Sequence, residues 1–349
     1  MEAAKENVGL ATTESQMRGR PFAATLILTA GTIFLLCSVA ISISYGAADI
    51  KLSDVWQAVF SFDGNSQDQQ IIHELRLPRV IGALLVGASF AVAGAIMQGM
   101  TRNPLADSGL LGLNSGAVLA MAICFALFPK TPYAMLIVFS FLGAAGSAML
   151  VFGVGSMAKG GLTPLCLVLA GAALSALFGA LSEGIALYYR IGQDLAFWYA
   201  GGVSGTRWSH LFIMAPIVVL AIGGAVAISR SITLLSLGED IAIGLGQKIK
   251  HIKLFGTLIV LILAGSAVSV IGPVGFVGLI IPHLTRYIVG VDYRFIVPCS
   301  AVLGALLMVW ADFIARMINP PYETPVGALI ALIGVPFFLY LARKERRTL

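Results

Sequence analysis

Charge is what this sequence has least of. Of its 349 residues, 11% are Asp, Glu, Lys or Arg and 58% are hydrophobic. Soluble domains carry about 25% charged residues, which excludes an ordinary water-soluble fold and leaves a helical membrane protein. Cysteine is sparse too. Cys37, Cys124, Cys166 and Cys299 lie in or beside apolar segments, and none has CxxC spacing. That pattern argues against a disulfide framework or a cysteine metal site and reads as small core residues. There is no basic stripe with interleaved aromatics, so the net charge of +5 does not point to nucleic acid. No glycine-rich phosphate-binding loop ending in Lys-Ser or Lys-Thr occurs, so an ATP site on this chain is not expected. No His, Cys, Asp and Glu cluster has metal-ligand spacing, and no nucleophile–base pair or paired carboxylates suggest an enzyme. The apolar runs are continuous rather than alternating, which argues against a β-barrel.

What remains is a succession of apolar runs. Ten spans can be drawn, at about 23–43, 80–100, 109–128, 133–155, 164–189, 210–229, 252–271, 275–290, 296–314 and 325–342. The first is longer than the apolar core of a signal peptide and reads as an uncleaved span. The expected fold is all-α and polytopic, with about ten transmembrane helices. Fifteen of the 22 lysines and arginines fall on the side of the N-terminus. That bias places both termini in the cytoplasm. One permease-like domain, 23–342, is expected between a cytoplasmic tail, 1–22, and a basic cytoplasmic tail, 343–349. Two loops exceed a simple turn: an outer one, 44–79, with a short helical pattern LSDVWQAVF, and an inner one, 230–251.

The stretch from Arg76 to Gly116 carries the most information. Its charge-free run, Val80 to Thr101, holds Gly82, Gly87, Gly94 and Gly99. Small residues let helix backbones pack closely in a membrane. The run ends at Arg102-Asn103-Pro104, and Pro104 forbids simple helix continuation. A second Gly-rich span beginning AGSAVSVIGPVGFVGLIIP runs the opposite way in this topology. The pair reads either as an inverted repeat, a plan many transporters use, or as a chance likeness of two Gly-rich helices.

The inner loop holds LLSLGEDIAIGLGQ, Leu234 to Gln247. Glu239 and Asp240 stand early in a short helix, where carboxylates suit the macrodipole. Ile241, Ile243 and Leu245 give that helix an apolar side. Such a helix is either a capped connector on the membrane surface or an element docked in a partner's groove. Ionisable residues within spans mark pathways in secondary transporters. The candidates are Asp107, Glu183, His283, Arg286 and Asp312, most of them near span ends. Glu183 either lines the pathway or makes a local hydrogen bond; His283, after Pro282, reads as structural.

Four runs, in order, resemble one family. RLPRVIGALLVGASFAVAGAIMQGMTRNPLADSGLLGLNSGA, LGEDIAIGLG, GPVGFVGLIIPHLTR and ADFIARMINPPYETPVGALIALIGVPFFLYL are similar to segments of the permease subunits of type II ABC importers (FecCD-like), which carry ferric siderophores, haem and cobalamin. The resemblance covers most of the chain from Arg76 to Leu341.

It implies a multi-pass permease of the bacterial cell membrane, inner or plasma, paired with a second permease subunit as a homodimer or heterodimer. It implies a cytosolic ABC ATPase dimer that binds the ATP and magnesium, so that this chain binds no cofactor, and an extracytoplasmic siderophore-binding protein. Gly238, Glu239, Asp240, Gly244 and Gly246 would couple to the ATPase. Arg76, Arg316 and, as a helper, Arg79 would dock the binding protein; the alternative for Arg76 and Arg79 is interfacial anchoring. Arg316 can also pair with Asp312, one turn away. Asn103, Pro104 and Leu105 would form a cytoplasmic gate, with a second gate near Gly160–Pro164. The expected cargo is a ferric siderophore. Cobalamin or haem is the alternative within the family, and an ion-coupled secondary transporter the alternative outside it.

Overall fold

Apolar segments without water must satisfy their backbone groups internally, so they close into helices. The computed structural model of the chain describes residues 19–46, 50, 52–62, 66–157, 164–200, 202–320 and 322–345, and no strand occurs among them. The helices, in chain order, are α1 (Pro21–Ser44), α2 (Leu52–Phe60), α3 (Gln67–Thr101), α4 (Leu113–Leu127), α5 (Tyr133–Ser156), α6 (Pro164–Tyr189), α7 (Gly192–Ala200), α8 (Trp208–Ser236), α9 (Glu239–Gly244), α10 (Ile249–Ile271), α11 (Val277–Val289), α12 (Tyr293–Ile318) and α13 (Val326–Glu345). Seven are long and apolar enough to cross a membrane; α4, α11 and α13 are shorter apolar helices. Together these ten coincide with the ten spans expected from the sequence.

The largest departure is at α3, which starts at Gln67 rather than near Val80. Hydropathy misses its polar first turns. The helix passes Pro78 by way of a π-turn at Ile72–Arg76. A proline cannot donate to the preceding turn, and a π-turn is one way to re-register the ladder around it. The LSDVWQAVF pattern is a helix, α2, as expected.

α3 is the axis of the fold. Every residue from Leu85 to Met100 is buried, so the helix is apolar on all sides, as a central helix must be. Gly87 meets the backbone of Gly304 on α12, and Gly94 meets that of Gly278 on α11. A side chain at either position would overlap the opposing carbonyl. These glycines set the depth to which α11 and α12 approach the axis.

Contacts fix which helix ends share a side. The end of α3 reaches α9 through Arg102 and Glu239, and the start of α10 does so through Lys253. The start of α1 joins the same end, where the Arg20 amide donates to the Val289 carbonyl. At the opposite, distal end, the close of α1 meets the starts of α3 and the last turns of α12. α11 begins well inside the bundle. Its Gly278 lies against Gly94, about 18 Å along α3 from Gly82 at 1.5 Å per residue. The segment Gly272–Phe276 makes that descent, with Gly275 exposed and Phe276 left-handed at φ 68° against Gly334 of α13.

Candidate functional site

The short helix α9 is framed by two backbone positions that favour glycine. Gly238 opens it at φ 135°, and Gly246 closes it at φ 79°. The closure is a Schellman motif: the Gly246 amide donates to the Ile243 carbonyl at 2.8 Å and the Gln247 amide to Ala242 at 2.9 Å. Ala242 is buried, seating one side of the helix on the bundle, while Ile241, Ile243 and Leu245 are each more than half exposed. Gly244 and Asp240 are exposed with them. A cluster of exposed apolar side chains on a short helix outside the spans marks an interaction site.

Glu239 does something else. Its carboxylate accepts a 2.8 Å bond from Lys253 Nζ and lies 4.0 Å from Arg102. Arg102 ends α3 in a left-handed conformation, φ 53°, and directly precedes the Asn103-Pro104-Leu105 corner. Glu239 therefore ties α9 to the start of α10 and to the residue before the corner.

The corner is a closed turn. Asn103 Oδ1 accepts from the Leu105 amide at 2.9 Å, and the Asn103 carbonyl from Ala106 at 3.1 Å. Leu105 packs against the cluster of Leu279 and Ile280 of α11 and Leu341 of α13, which Phe337 and Phe338 also cover. Two residues on, Asp107 caps a short 3-10 turn, accepting from the Ser108 amide at 2.8 Å, and borders Gly278 at the start of α11. Burial raises the Asp107 carboxyl above its ordinary value, against the lowering effect of its bonds to Ser108 and Gly109. The corner thus packs against both α11 and α13.

The distal end carries a buried charge cluster. Asp312 of α12 is fully buried and receives Arg79 through Nε at 2.9 and 3.1 Å and through Nη2 at 2.9 Å. Arg79 also pairs with Glu323. Arg316 lies 3.3 Å from the second oxygen of Asp312 and donates to Ser42 of α1, at 2.6 Å to the hydroxyl and 3.1 Å to the carbonyl. Arg76 is buried at 6% exposure and donates to the carbonyls of Ile43 and Ser44, at 2.9 and 3.0 Å. The last carbonyls of α1 lack helical partners, and Arg76 and Arg316 supply them. The three arginines expected at a docking surface are engaged with the chain's own groups in this conformation.

The geometry has three parts: a short helix with an exposed apolar side, a corner linked to it, and a buried charge cluster at the far end. The model of the FecCD transport family matches residues 34–344. The chain belongs to the FecCD transport family. Among its relatives, the iron(3+)-hydroxamate import system permease protein FhuB of Bacillus subtilis (strain 168) is 53% identical over 346 residues, covering 99% of this chain and 90% of that protein. The Fe(3+)-citrate import system permease protein YfmD of the same organism is 43% identical, covering 90% of this chain and 93% of its own length. Among solved structures, one described as a metal-chelate type ABC transporter in an inward-facing conformation matches with a TM-score of 0.79 at 30% identity, covering 91% of this chain and 99% of that one.

Other residues of this FecCD-family chain fall as follows. Glu183 is exposed on α6 and lies near Tyr199 of α7; burial, and then this carboxylate, raise the Tyr199 phenol above its ordinary value. The second gate expected near Gly160–Pro164 lies outside the described residues, apart from the backbone of Pro164. His283 packs edge-on to Phe337 of α13, with ring centroids 5.8 Å apart. Cys124 and Cys299 are core residues as expected, whereas Cys37 is exposed on the face of α1 turned from the bundle.

Sequence reasoning missed a second polar network. Gln98 of α3, 2% exposed, donates weakly to the Gly278 and Leu279 carbonyls and accepts from Arg286 at 3.0 Å, and Arg286 also donates to Tyr293. The signal available was a glutamine in an otherwise apolar, glycine-rich span. A buried amide needs partners, but nothing in the sequence says where they lie.

Proposed function

We propose that this chain is the permease subunit of an ATP-driven importer that carries a ferric siderophore into a bacterial cell. It is a transport subunit rather than an enzyme. Hydrolysis belongs to a separate cytosolic ATPase dimer, which holds the ATP and magnesium. An extracytoplasmic binding protein delivers the cargo, and a second permease subunit, identical or homologous, completes the pathway. Membership of the FecCD family favours this reading over ion coupling, and the iron-chelate names of its relatives favour it over cobalamin or haem.

The observation that carries the mechanism is α9. Its exposed isoleucines and leucine suit a groove on the ATPase, and Glu239 links the same helix to Arg102 at the corner. Movement imposed on α9 by ATPase closure passes through that ion pair and the α10 start to Asn103, Pro104 and Leu105. Leu105 sits between α11 and α13, so displacing the corner repacks the cytoplasmic side of the pathway. Alternation between two such packings gates access. Both chain ends fall on the cytoplasmic side in this scheme, with the single permease domain at 23–342. The antiparallel packing of α3 and α10 supports an inverted-repeat plan.

At the distal end, Arg76, Arg79 and Arg316 form the base on which the binding protein rests. Their role there is to hold α1, α3 and α12 in register beneath the docking partner. Glu183, exposed on α6, lines the pathway.

The test is uptake of radioactive iron, presented as a hydroxamate chelate, by vesicles carrying the permease, its neighbouring ATPase and the binding protein. ATP-dependent accumulation that needs all three supports the reading. Accumulation driven by a proton or sodium gradient without the ATPase refutes it.

A further inference from the structure

A cavity of about 1070 Å³ opens at the distal end, among Arg79 of α3, the α4–α5 turn, α7, the end of α10 and the segment before α13. Its size suits a drug-sized or larger chelate. Phe125, Trp198 and Tyr322 supply aromatic wall, and Ser204 and Thr324 supply polar positions. The charged residues of the wall are Arg79, Asp194 and Glu323.

These three do not balance. Arg79 is held by Glu323 beside it and by Asp312 behind it, and Arg316 balances Asp312 in turn, so Glu323 offsets Arg79 and Asp194 is the carboxylate left over. Arg79 presents no uncompensated cation to the cavity. Arg76 and Arg316 turn to carbonyls and a hydroxyl of α1 and are not part of the wall. Lys130 and Arg190 neighbour wall residues in sequence and are exposed, but neither belongs to the wall. Asp194 is exposed and adds a further negative charge at the start of α7. The lining is left with an excess of carboxylate over guanidinium, beside aromatic faces that attract cations. A recess with low-dielectric walls focuses that excess.

Resting on the importer reading, we infer that this vestibule selects the cargo by charge. It admits neutral or cationic ferric chelates and disfavours anionic ones, and Asp194 and Glu323 are the residues responsible. Hydroxamate groups bind iron(III) as monoanions and together cancel its charge. Catecholate dianions and excess citrate leave the complex anionic. A tris-hydroxamate chelate is the cargo class that fits this wall.

The experiment varies charge on one chelate core. The iron complex of desferrioxamine B has a pendant cationic amine; its N-acetyl derivative is neutral, and its N-succinyl derivative is anionic. Uptake of each is measured in vesicles with the complete importer at saturating binding protein, after matching binding-protein occupancy. The expected wild-type order is cationic and neutral above anionic. In Asp194→Asn, and more so with Glu323→Gln added, the anionic derivative should gain on the cationic one by roughly tenfold, while Asp194→Glu should keep the wild-type preference. Because Glu323 also pairs with Arg79, the single Asp194→Asn variant keeps the test independent of folding. ATP-driven uptake with the same charge preference in wild type and Asp194→Asn would overturn this inference alone. No ATP-driven uptake of any derivative by the wild-type importer would bring down both this inference and the importer reading.

Discussion

Replacing Asp312 with Asn should destabilise the bundle by about 3 kcal/mol. The carboxylate is fully buried and is approached by two guanidinium groups whose side chains are about a tenth exposed. Removing one partner from a buried ionic cluster costs about 3–5 kcal/mol, because the remaining charge keeps its desolvation penalty. Two features pull the estimate to the lower end of that range. Arg79 retains Glu323, which is half-exposed, and Arg316 retains Ser42. At about 2.1 cal/mol/K of unfolding entropy per residue, a loss of this size lowers the melting midpoint by roughly 4 °C. The assay is thermal unfolding of the detergent-purified chain, followed by loss of the monodisperse species. Glu323→Gln is the internal comparison and should cost less than about 1 kcal/mol, as an exposed pair does. The double variant Asp312→Leu with Arg79→Met should be more stable than the sum of its parts, since it removes a charge and its counter-charge together. An Asp312→Asn protein as stable as wild type would refute the claim that this carboxylate holds α3 and α12 together.

Three further outcomes follow from the same geometry. Gly94→Ala, whose new methyl would overlap the Gly278 carbonyl, should cost about 3 kcal/mol and reduce recovery of folded protein; Gly146→Ala, with nothing within 4 Å, should not. Ile243→Asp, on the exposed side of α9, should leave stability within about 0.5 kcal/mol of wild type while weakening ATPase binding. Burial would raise the Asp292 carboxyl, but bonds from the Arg294 side chain and amide and from Thr233 outweigh it and hold it below its ordinary value. Its stabilisation is therefore complete above the ordinary carboxylate range and is lost as pH falls through the depressed value; a melting-temperature difference between wild type and Asp292→Asn should close below about pH 4.

The transmembrane helices were legible because bilayer physics leaves few choices. Continuous apolar runs such as Trp208–Ser236 must be helices, although the expected span, 210–229, stopped about two turns short of that helix's end, where Arg230 and the polar residues after it break the apolar run. The start of α3 was not legible. Gln67, Asp68, Gln69 and Gln70 look like loop, and Pro78 looks like a helix start, yet a π-turn carries one helix through both. Local pattern also revealed α9, because Gly238 and Gly246 bracket it. Its link to Arg102 was hidden, since 137 residues of chain separate the two partners and only packing joins them. The Arg79–Asp312 pair is the same case at a separation of 233 residues. The sequence marked these arginines as outward-facing groups near helix ends. The fold turns Arg76 and Arg316 onto the frayed carbonyls of α1, a contact no helical periodicity encodes.

The central claim is that α9 couples this chain to a separate ATPase. The most direct measurement is affinity purification of the tagged protein from its native membrane, with mass spectrometry of what accompanies it. The wild-type chain should recover an ABC ATPase. Glu239→Ala with Asp240→Ala, and separately Ile241→Asp with Ile243→Asp, should lose it while remaining monodisperse. Wild-type protein that never recovers an ATPase, or variants that recover it in full, would contradict the account.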